Sequence, residues 1–373
     1  MKPKRFISAY FPMNRCNLSC QYCYIAHIPD YYAQNQTLPL YSPDQIAKCL
    51  RPERLGGCCL INLTGEGETL LQPDLVEICR LLLEEGHALE IVTNLTITKT
   101  LKELLAFPFK LRERLAFKIS FHYFELKKRG LLKRFWDNVQ LVQDSGCSFS
   151  LELMSGDQQI PYINEIIREC VEHTGAKCHV TVGRRDNHST KDLLSELPRE
   201  EYERTWSAFQ SELFSFKMKL FGVKRREFCY AGNRSLFLNM HTGEARSCYA
   251  QPDSQFIFDD SEKPISFHPV GHHCVQPYCF NGHSFLALGL IPEIESPTYC
   301  DVRNRERADG SNWFSNTMKQ CFSTKLIERG TDEFSLGKKT VYDIVWYFRC
   351  IRFVIVKRKK VVDYLKRRLE ERR

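Results

Sequence analysis

Three cysteines near the start of the sequence are close enough together to bind one metal centre. Cys16, Cys20 and Cys23 form a C-x3-C-x2-C pattern directly after an apolar run. Four thiolates fill the coordination of a structural zinc ion or give every iron of a cubane cluster a protein ligand, whereas three leave one position open to a small molecule. The pattern therefore predicts an iron–sulfur cluster with one open iron. The alternative is a structural zinc site completed by a distant ligand such as His27.

The setting of the cysteines favours metal binding over disulfides. The chain has 17 Cys among 373 residues, and its amino terminus has no apolar segment typical of a secretory signal. The sequence contains no run of about 20 apolar residues, so it predicts no membrane-spanning helix. Without a secretory signal we expect a cytoplasmic protein. In the reducing cytosol, clustered thiols more often bind metal or do chemistry than form disulfides.

The cysteine loop belongs to a series of six β-rich runs whose starts lie about 30 residues apart, the length of one β-α-β step. Helical patterns separate the runs: Pro43 and Pro73 each stand at a predicted first helical position, and Leu131–Gln143 and Tyr162–Val171 follow later. Such alternation predicts a parallel sheet, open or closed into an incomplete barrel, with ligands at the carboxyl ends of its strands. The six predicted strands are Arg5–Phe11, Cys58–Leu63, Ala88–Thr93, Leu115–Phe121, Cys147–Met154 and Lys177–Val182.

The spacing of the three cysteines, with the aromatic Tyr22 before the last of them, closely resembles the signature of the radical S-adenosylmethionine (radical SAM) enzymes. Further positions match that family one strand end after another. After the second strand, Gly65, Gly67 and Glu68 resemble its Gly-Gly-Glu-Pro element, with Thr69 in place of the Pro. In the family this segment holds the amino group of the methionine moiety.

The resemblance continues at the third and fourth strands. Thr93-Asn94-Leu95 is similar to a Thr-Asn-Gly turn with Leu in place of Gly, and Ser120 and His122 occupy a Ser-x-Asp position that faces the ribose. An imidazole can still bind a hydroxyl group where the family has Asp. The resemblance covers residues 5–220 and implies a partial (β/α)6 barrel of the TIM type. Glu152, Arg184 and Arg185 are weaker candidates, equally consistent with surface or salt-bridge residues.

The resemblance also implies cofactors and a reaction. Cys16, Cys20 and Cys23 would hold a 4Fe–4S cluster whose open iron binds S-adenosylmethionine. An electron from a flavodoxin- or ferredoxin-like donor would cleave the sulfonium, and the resulting 5′-deoxyadenosyl radical would abstract hydrogen from a peptide, protein, small molecule or sugar. The rival prediction is a zinc-stabilised interaction protein without enzyme activity.

A second group of cysteines follows residue 220, where the strand–helix alternation is lost. Cys229 and Cys248 flank Gly243, which suits a hairpin, and Cys274 and Cys279 come next. The pattern resembles the start of the SPASM or twitch extensions of radical SAM enzymes, which carry auxiliary iron–sulfur clusters. These four thiols would hold one such cluster, with Cys300 as a substitute ligand. Zinc remains the alternative metal. The histidines near this group are treated as polar neighbours: His272, His273 and His283.

These patterns divide the chain into a core barrel at 1–220, a cysteine-rich region at 221–305 and an extension at 306–373. From residue 338 to the end there are 13 Lys/Arg and 4 Asp/Glu, so the tail accounts for the net charge of +8. The apolar, aromatic-rich run Val341–Val356 before its basic end predicts an amphipathic helix that docks on an anionic membrane surface or a partner, or else packs on the barrel. Nucleic-acid binding is disfavoured because the body is nearly neutral. The other cysteines are predicted to be ordinary buried residues.

Overall fold

The computed structural model of the protein describes residues 2–23, 25, 39–185, 192–276, 278–279 and 282–356. His27, the alternative ligand for zinc at the first cysteine group, lies outside these residues. The basic end of the tail after residue 356 lies outside them as well.

A single sheet of nine strands organises the described part of the chain. Its order is β6-β5-β4-β3-β2-β1-β7-β8-β9, and the neighbours from β6 to β7 are all parallel, whereas β7, β8 and β9 pair antiparallel. The strands are β1 Phe6–Arg15, β2 Leu60–Gly67, β3 Ala88–Thr93, β4 Leu115–Phe121, β5 Ser148–Met154, β6 His179–Thr181, β7 Ser235–Asn239, β8 Glu244–Arg246 and β9 Gln255–Phe256.

Helices connect the parallel strands, as the alternation predicts. The helices are α1 Pro43–Cys49, α2 Pro52–Leu55, α3 Leu75–Glu84, α4 Thr98–Leu105, α5 Phe109–Arg112, α6 Tyr123–Lys128, α7 Leu132–Asp144, α8 Ile163–Thr174, α9 Arg199–Trp206, α10 Glu212–Leu220, α11 Gly282–Ala287, α12 Asn316–Ser323 and α13 Leu336–Val356. Single 3-10 turns follow β2, β5 and α9, at Thr69–Leu71, Asp157–Tyr162 and Ser207–Phe209.

The α3 segment shows how the sequence forms the barrel. Leu75, Ile78 and Leu82 recur at helical spacing and are buried on one face against the sheet. The chain turns directly after the helix, where Gly86 has φ = +92°. Similar apolar faces on α7 and α8 cover the same sheet, so the parallel strands are buried on their helix side.

The predicted fold class is confirmed: six parallel strands form a partial barrel whose sheet does not close. β3 and β4 have the predicted bounds, while the others differ at their ends. Two local predictions are wrong. Ser42 caps α1 and Pro43 is its first residue, but α3 begins at Leu75, so Pro73 precedes the helix. β2 extends through Gly67, because this glycine-rich segment still pairs with β1.

The region after residue 220 continues the barrel sheet through a hairpin. β7 pairs in parallel with β1 from Phe6↔Ser235 to Tyr10↔Asn239, and β8 returns antiparallel to β7 after Gly243, which has φ = +70°. This is the predicted hairpin. Within the described ranges, no helix combines the length and apolar character needed to cross a bilayer.

Candidate functional site

A cavity of about 350 Å³ lies at the carboxyl ends of the six parallel strands. Its walls come from the loop after β1 and from the ends of β2, β3 and β4, with β5 and β6 on the far side. Ligands of parallel α/β sheets bind at this edge. Ten residues predicted from the sequence line it together: Cys16, Cys20, Tyr22, Cys23, Gly65, Gly67, Glu68, Asn94, Ser120 and His122.

The cysteine loop is held in place by polar contacts to α6. The backbone N–H of Ser19 donates to Glu125 Oε1 at 3.1 Å, and the Arg129 guanidinium donates to both Glu125 and the Ser19 hydroxyl. The N–H of Leu18 points to the Sγ of Cys16 at 3.4 Å. Sequence reasoning missed Glu125 and Arg129, because a Glu-Arg pair four residues apart on a helix ordinarily stabilises only that helix.

The thiols of this loop are close enough to influence one another. The pKa of Cys16 is raised to about 11 and that of Cys20 to about 12, mainly by burial and in smaller part by neighbouring Cys23. Metal ligation requires thiolates, so only a bound cation can offset this cost. The grouping fits a cluster that binds each thiolate at a separate iron, with the rest of the cavity left for a ligand of the fourth iron.

The glycine-rich segment lines the same cavity, and its two glycines occupy positions that disfavour a side chain. A Cβ on Gly65 would lie 2.8 Å from Met13 Sδ, and Gly67 has φ = +133°, a conformation open only to glycine. Thr69, which replaces the family's Pro, accepts a hydrogen bond from the Gly65 N–H through its hydroxyl at 2.8 Å. The departure from the family pattern therefore supplies a bond that fixes the segment.

Glu68 is the buried connection between the ends of β2 and β3. Its Oε1 accepts from the Leu70 N–H at 2.9 Å and from the Thr93 hydroxyl at 2.5 Å, and its Oε2 accepts from the Asn94 N–H at 2.7 Å. Burial raises its pKa, and these three donors act in the opposite direction. A carboxylate has about four acceptor positions, so most of this one is used inside the protein. Glu68 therefore orders the cavity wall as well as facing the cavity.

Asn94 joins the end of β3 to the cysteine loop. Its Nδ2 donates to Asn17 Oδ1 at 3.0 Å, and its Oδ1 accepts from the Thr96 N–H and hydroxyl. The following residue, Leu95, has φ = +56°, the left-handed conformation that the family's glycine would adopt without strain. The backbone turn is thus kept although the residue is changed.

His122 and Tyr22 form a pair across the cavity wall. The Tyr22 hydroxyl lies 2.6 Å from His122 Nδ1, and burial lowers the pKa of this imidazole to about 4. His122 is therefore neutral at pH 7, and one of its two ring nitrogens carries the single N–H. The Tyr22 hydroxyl also hydrogen-bonds the Cys20 thiol. Ser120, two residues earlier, also faces the cavity.

Several charged side chains complete the far wall. Glu152 and Arg184, the weaker candidates, line the cavity, together with Lys118, Lys217 and His283. Arg185 lines a neighbouring cavity and pairs with the exposed Glu196. Lys118 and Lys217 were not predicted, because single lysines on a strand and a helix carry no recognisable motif.

The second cysteine group also comes together. Cys248, Cys274 and Cys279 all influence the ionisation of Cys229, and burial, the larger effect, raises the pKa of that thiol. Cys300 lies elsewhere, against Asp301 and Lys319. Over the described ranges, no three His, Cys, Asp or Glu side chains converge as closely as a single metal ion requires. The histidines near this group have other partners: His272 and His273 contact Asp343 of α13, and His283 lines the cavity.

The remaining cysteines whose side chains the structure describes lie apart from both groups. Six of the others in the barrel are buried and Cys58 is half-buried, and Cys321 is buried in α12. This agrees with their interpretation as small apolar residues.

Comparison with known proteins gives one match in sequence families. Residues 10–170 match the model of the Radical SAM superfamily. Among curated proteins, none matches the chain.

Solved structures with a similar fold were also found. SuiB of Streptococcus suis bound to S-adenosylmethionine is 17% identical, with a TM-score of 0.49, over 71% of this chain and 67% of SuiB. SuiB bound to its precursor peptide SuiA is 16% identical, with a TM-score of 0.48, over 70% of this chain and 64% of SuiB. The enzyme anSMEcpe with bound AdoMet and a peptide is 13% identical, with a TM-score of 0.46, over 70% of this chain and 80% of that chain.

Proposed function

We propose that the protein binds a 4Fe–4S cluster through Cys16, Cys20 and Cys23 and cleaves S-adenosylmethionine there. The match of residues 10–170 to the Radical SAM superfamily supports this proposal. The match to this domain supports a radical SAM enzyme, and nothing in the comparisons favours the rival interaction protein. One observation carries the assignment of residues: the three thiols and the segment Gly65–Glu68 line the same cavity.

The residues around the cavity bind the parts of S-adenosylmethionine. The backbone carbonyls of the segment Gly65–Gly67 accept from its ammonium group, because the glycines allow a close approach. Glu68 adds its remaining acceptor position and holds the segment against the end of β3. The neutral imidazole of His122 hydrogen-bonds a ribose hydroxyl through Nε2, with Ser120 beside it.

A 4Fe–4S cluster held by Cys16, Cys20 and Cys23 would supply one-electron reduction of the sulfonium, which would break its carbon–sulfur bond and give methionine and a 5′-deoxyadenosyl radical. The electron comes from a reduced flavodoxin- or ferredoxin-like protein. The chain's own contribution is to orient the ligand and exclude water from the reactive carbon. The apolar side chains of Leu18, Val92 and Val182 in the cavity wall suit that second task.

The core proposal is tested by reconstituting the protein with iron and sulfide without oxygen, then adding dithionite and S-adenosylmethionine. We expect 5′-deoxyadenosine from the wild type and none from Cys20→Ala. The matched control is Cys58→Ala, a half-buried thiol outside both groups, which should form the product at the wild-type rate. Equal product from Cys20→Ala, or none from the wild type, would refute the proposal.

We further propose that Cys229, Cys248, Cys274 and Cys279 hold one auxiliary iron–sulfur cluster. Their mutual influence on ionisation supports this, as does the hairpin that brings the first two together. Tyr249, directly after Cys248, lines the larger cavity next to the first one. An auxiliary cluster here would therefore lie at the edge of the space where a substrate meets the radical.

Elemental analysis separates this proposal from zinc. An auxiliary 4Fe–4S cluster predicts about eight irons per reconstituted chain, and a zinc site predicts about four irons with one zinc. Cys248→Ser should lower the iron content while Cys300→Ser, a cysteine outside the group, should not. If the wild type contains zinc and Cys248→Ser loses it, the second group holds zinc and the proposal of an auxiliary cluster is refuted.

The exposed side of α13 supports the predicted docking on an anionic membrane surface. Asp343 and Trp346 face the cysteine-rich region, where they contact His272 and stack on His273. Other described apolar side chains of this helix are exposed, and they are Leu336, Val341, Ile344, Val345, Tyr347, Phe348 and Ile351. Exposed apolar side chains followed by a basic sequence suit the interface of an anionic bilayer.

Vesicle sedimentation tests this docking. The protein should bind vesicles containing phosphatidylserine more tightly than vesicles of phosphatidylcholine alone. Phe348→Ser removes a large exposed side chain and should weaken binding, whereas Phe109→Ser, an exposed phenylalanine on α5, should not. Equal vesicle binding by the two variants would show that α13 does not contribute to the interaction.

A further inference from the structure

A basic stretch outside the tail covers the end of α6 and the start of α7. Of the eight residues at positions 127–134, five are Lys or Arg and none is acidic. All five cations are exposed and together form what we call the α6–α7 basic surface: Lys127, Lys128, Arg129, Lys133 and Arg134. Because the chain before residue 338 is nearly neutral, this concentration of positive charge is a local feature of the protein.

Carboxylates offset only part of this charge. Three of the five cations have one partner each, in the pairs Lys127–Glu165, Arg129–Glu125 and Lys133–Asp137. Lys128 and Arg134 form no ion pair with the residues that the structure describes. On α3, by contrast, the exposed Arg80 lies between Glu77 and Glu84. The α6–α7 basic surface therefore keeps a positive excess that faces solvent.

This surface adjoins the outer side of the cysteine loop. Arg129 donates to the Ser19 hydroxyl at 3.2 Å, and Ser19 is exposed between Cys16 and Cys20. Burial raises the pKa of the Cys16 thiol and the charge of Arg129 acts in the opposite direction, so that charge lies near the sulfur. Cys16 and Cys20 also line the cavity. The loop thus has one side toward the cavity and another toward solvent, beside the basic surface.

The proposed reaction needs an electron to reach this loop while S-adenosylmethionine occupies the cavity. A carrier protein is too large to enter a cavity of about 350 Å³, so it must approach the cysteines from outside. The exposed side at Ser19 gives such an approach. A positive surface next to it attracts an acidic protein, speeds its association and orients it on contact.

We propose that the α6–α7 basic surface docks an acidic electron-carrier protein beside the cysteine loop. This inference rests on the proposed function, because it assigns the side from which the electron enters the same site. The docked carrier is oxidised by one electron, and the cluster held by Cys16, Cys20 and Cys23 is reduced by one. Lys128 and Arg134 contribute most to the attraction, since no carboxylate of the described chain pairs with them.

Biolayer interferometry tests the docking with two acidic carriers, an oxidised flavodoxin and an oxidised 2Fe–2S ferredoxin, on the reconstituted protein. We expect at least one carrier to bind, and to bind less tightly as sodium chloride rises from about 0.05 to about 0.3 M, because salt screens exposed charges. Lys128→Glu and Arg134→Glu should each weaken this binding about fivefold, the effect of losing a screened surface charge pair.

The matched control is Lys110→Glu, which reverses an exposed charge on α5 and should leave carrier binding unchanged. This helix precedes β4 and so lies at the opposite end of the sheet from the cysteine loop. Equal carrier affinity in all variants, binding that salt does not weaken, or no binding of either carrier would overturn the inference. So would weaker binding of Lys128→Glu to phosphatidylserine vesicles with carrier affinity intact, since the surface would then serve a membrane.

Product formation with two reductants separates docking from the chemistry of the site. With limiting reduced carrier, Lys128→Glu should form 5′-deoxyadenosine more slowly than Lys110→Glu does. Dithionite is a small reductant that needs no docking surface, so the two variants should differ much less with it. An equal loss with both reductants in Lys128→Glu would overturn the inference, because the residue would then act on the site itself. Failure of the wild type with dithionite would count against the proposed function, whatever the carrier affinities.

Discussion

The two cysteine groups reach their positions by different means. The first sits in a loop directly after β1, between the ends of two neighbouring parallel strands, and is bound to α6 through Glu125. The second is assembled from a hairpin at Cys229 and Cys248 and from a stretch of irregular backbone around Cys274 and Cys279. The first arrangement follows from a repeated strand rhythm and the second does not.

This difference shows when the position of a residue in the sequence predicts its neighbours in the fold. In a parallel sheet, all carboxyl ends meet at one edge, so residues after successive strands must be neighbours. Cys16, Glu68 and His122 are separated by many residues yet line one cavity for that reason. Cys274 has no such constraint, and only its nearness to the hairpin in space joins it to Cys248.

The largest expected effect is the loss of one thiol from each group. Cys16→Ala should abolish 5′-deoxyadenosine formation, because the cluster that cleaves S-adenosylmethionine has only three protein ligands. Cys279→Ala should lower the iron content and leave this cleavage measurable, since the second group lies outside the first cavity. Iron analysis and product chromatography on both variants check the prediction. Complete loss of product in Cys279→Ala would mean that the two groups depend on each other.

Glu68→Gln tests the connection between β2 and β3. The amide nitrogen of Gln would replace an acceptor with a donor opposite an N–H, either of Asn94 or of Leu70. We expect the free energy of unfolding to fall by about 3 kcal/mol, and S-adenosylmethionine binding to weaken with it. Urea unfolding and calorimetry measure these two quantities. Glu103→Gln on the exposed face of α4 is the control, and an equally stable Glu68→Gln variant would contradict the assignment.

Much of the first site was predictable because each residue stands at a strand end. The class of fold is confirmed by the sheet order, and the predicted enzyme class agrees with the family match over residues 10–170. The supporting contacts were not predictable. Asn17 and Glu125 are ordinary polar residues in the sequence, and only the folded chain brings them to Asn94 and to the Ser19 N–H. The bounds of β2 were missed because its glycines suggested a turn, although pairing with β1 continues through them.

The two lysines of the far cavity wall escaped prediction for a similar reason. Lys118 and Lys217 are 99 positions apart in the sequence and come together only because α10 packs beside β6. No periodicity in the chain records that contact. The domain boundary at about residue 220 remains a prediction, and pairing of β7 with β1 joins both sides of it in one sheet.

The next smaller expected effect is a dependence of stability on pH, and it comes from His87 next to β3. His87 accepts from the Cys59 N–H at Nδ1 and donates from Nε2 to the Leu50 carbonyl, so it is neutral when folded. Burial lowers its pKa from 6.5 to about 4. The unfolded chain therefore binds more protons between these values, and stability falls as the pH falls from 6.5 toward 4.

From this shift we expect the unfolding free energy to drop by about 2 kcal/mol between pH 7 and pH 5 through His87 alone. Urea titrations of the wild type and of His87→Asn at both pH values isolate this amount, because the variant lacks the titrating group. The difference between the two proteins in their pH dependence is the measured quantity. A difference near zero would show that His87 is not held neutral by burial.

The smallest effect concerns the pair formed by Tyr22 and His122, which links the cysteine loop to β4. Tyr22→Phe removes the 2.6 Å hydrogen bond between the Tyr22 hydroxyl and His122 Nδ1 and leaves that ring nitrogen without this partner. The cost should be about 1 kcal/mol in unfolding free energy, with a severalfold loss of S-adenosylmethionine affinity. Tyr162→Phe, at a more exposed tyrosine, is the control for loss of a hydroxyl.

Because His122 is neutral above about pH 5, the loss of affinity in Tyr22→Phe should be the same at pH 6.5 and pH 8. A loss that changed across that range would mean that the imidazole titrates, and that strand-end geometry does not fix its protonation.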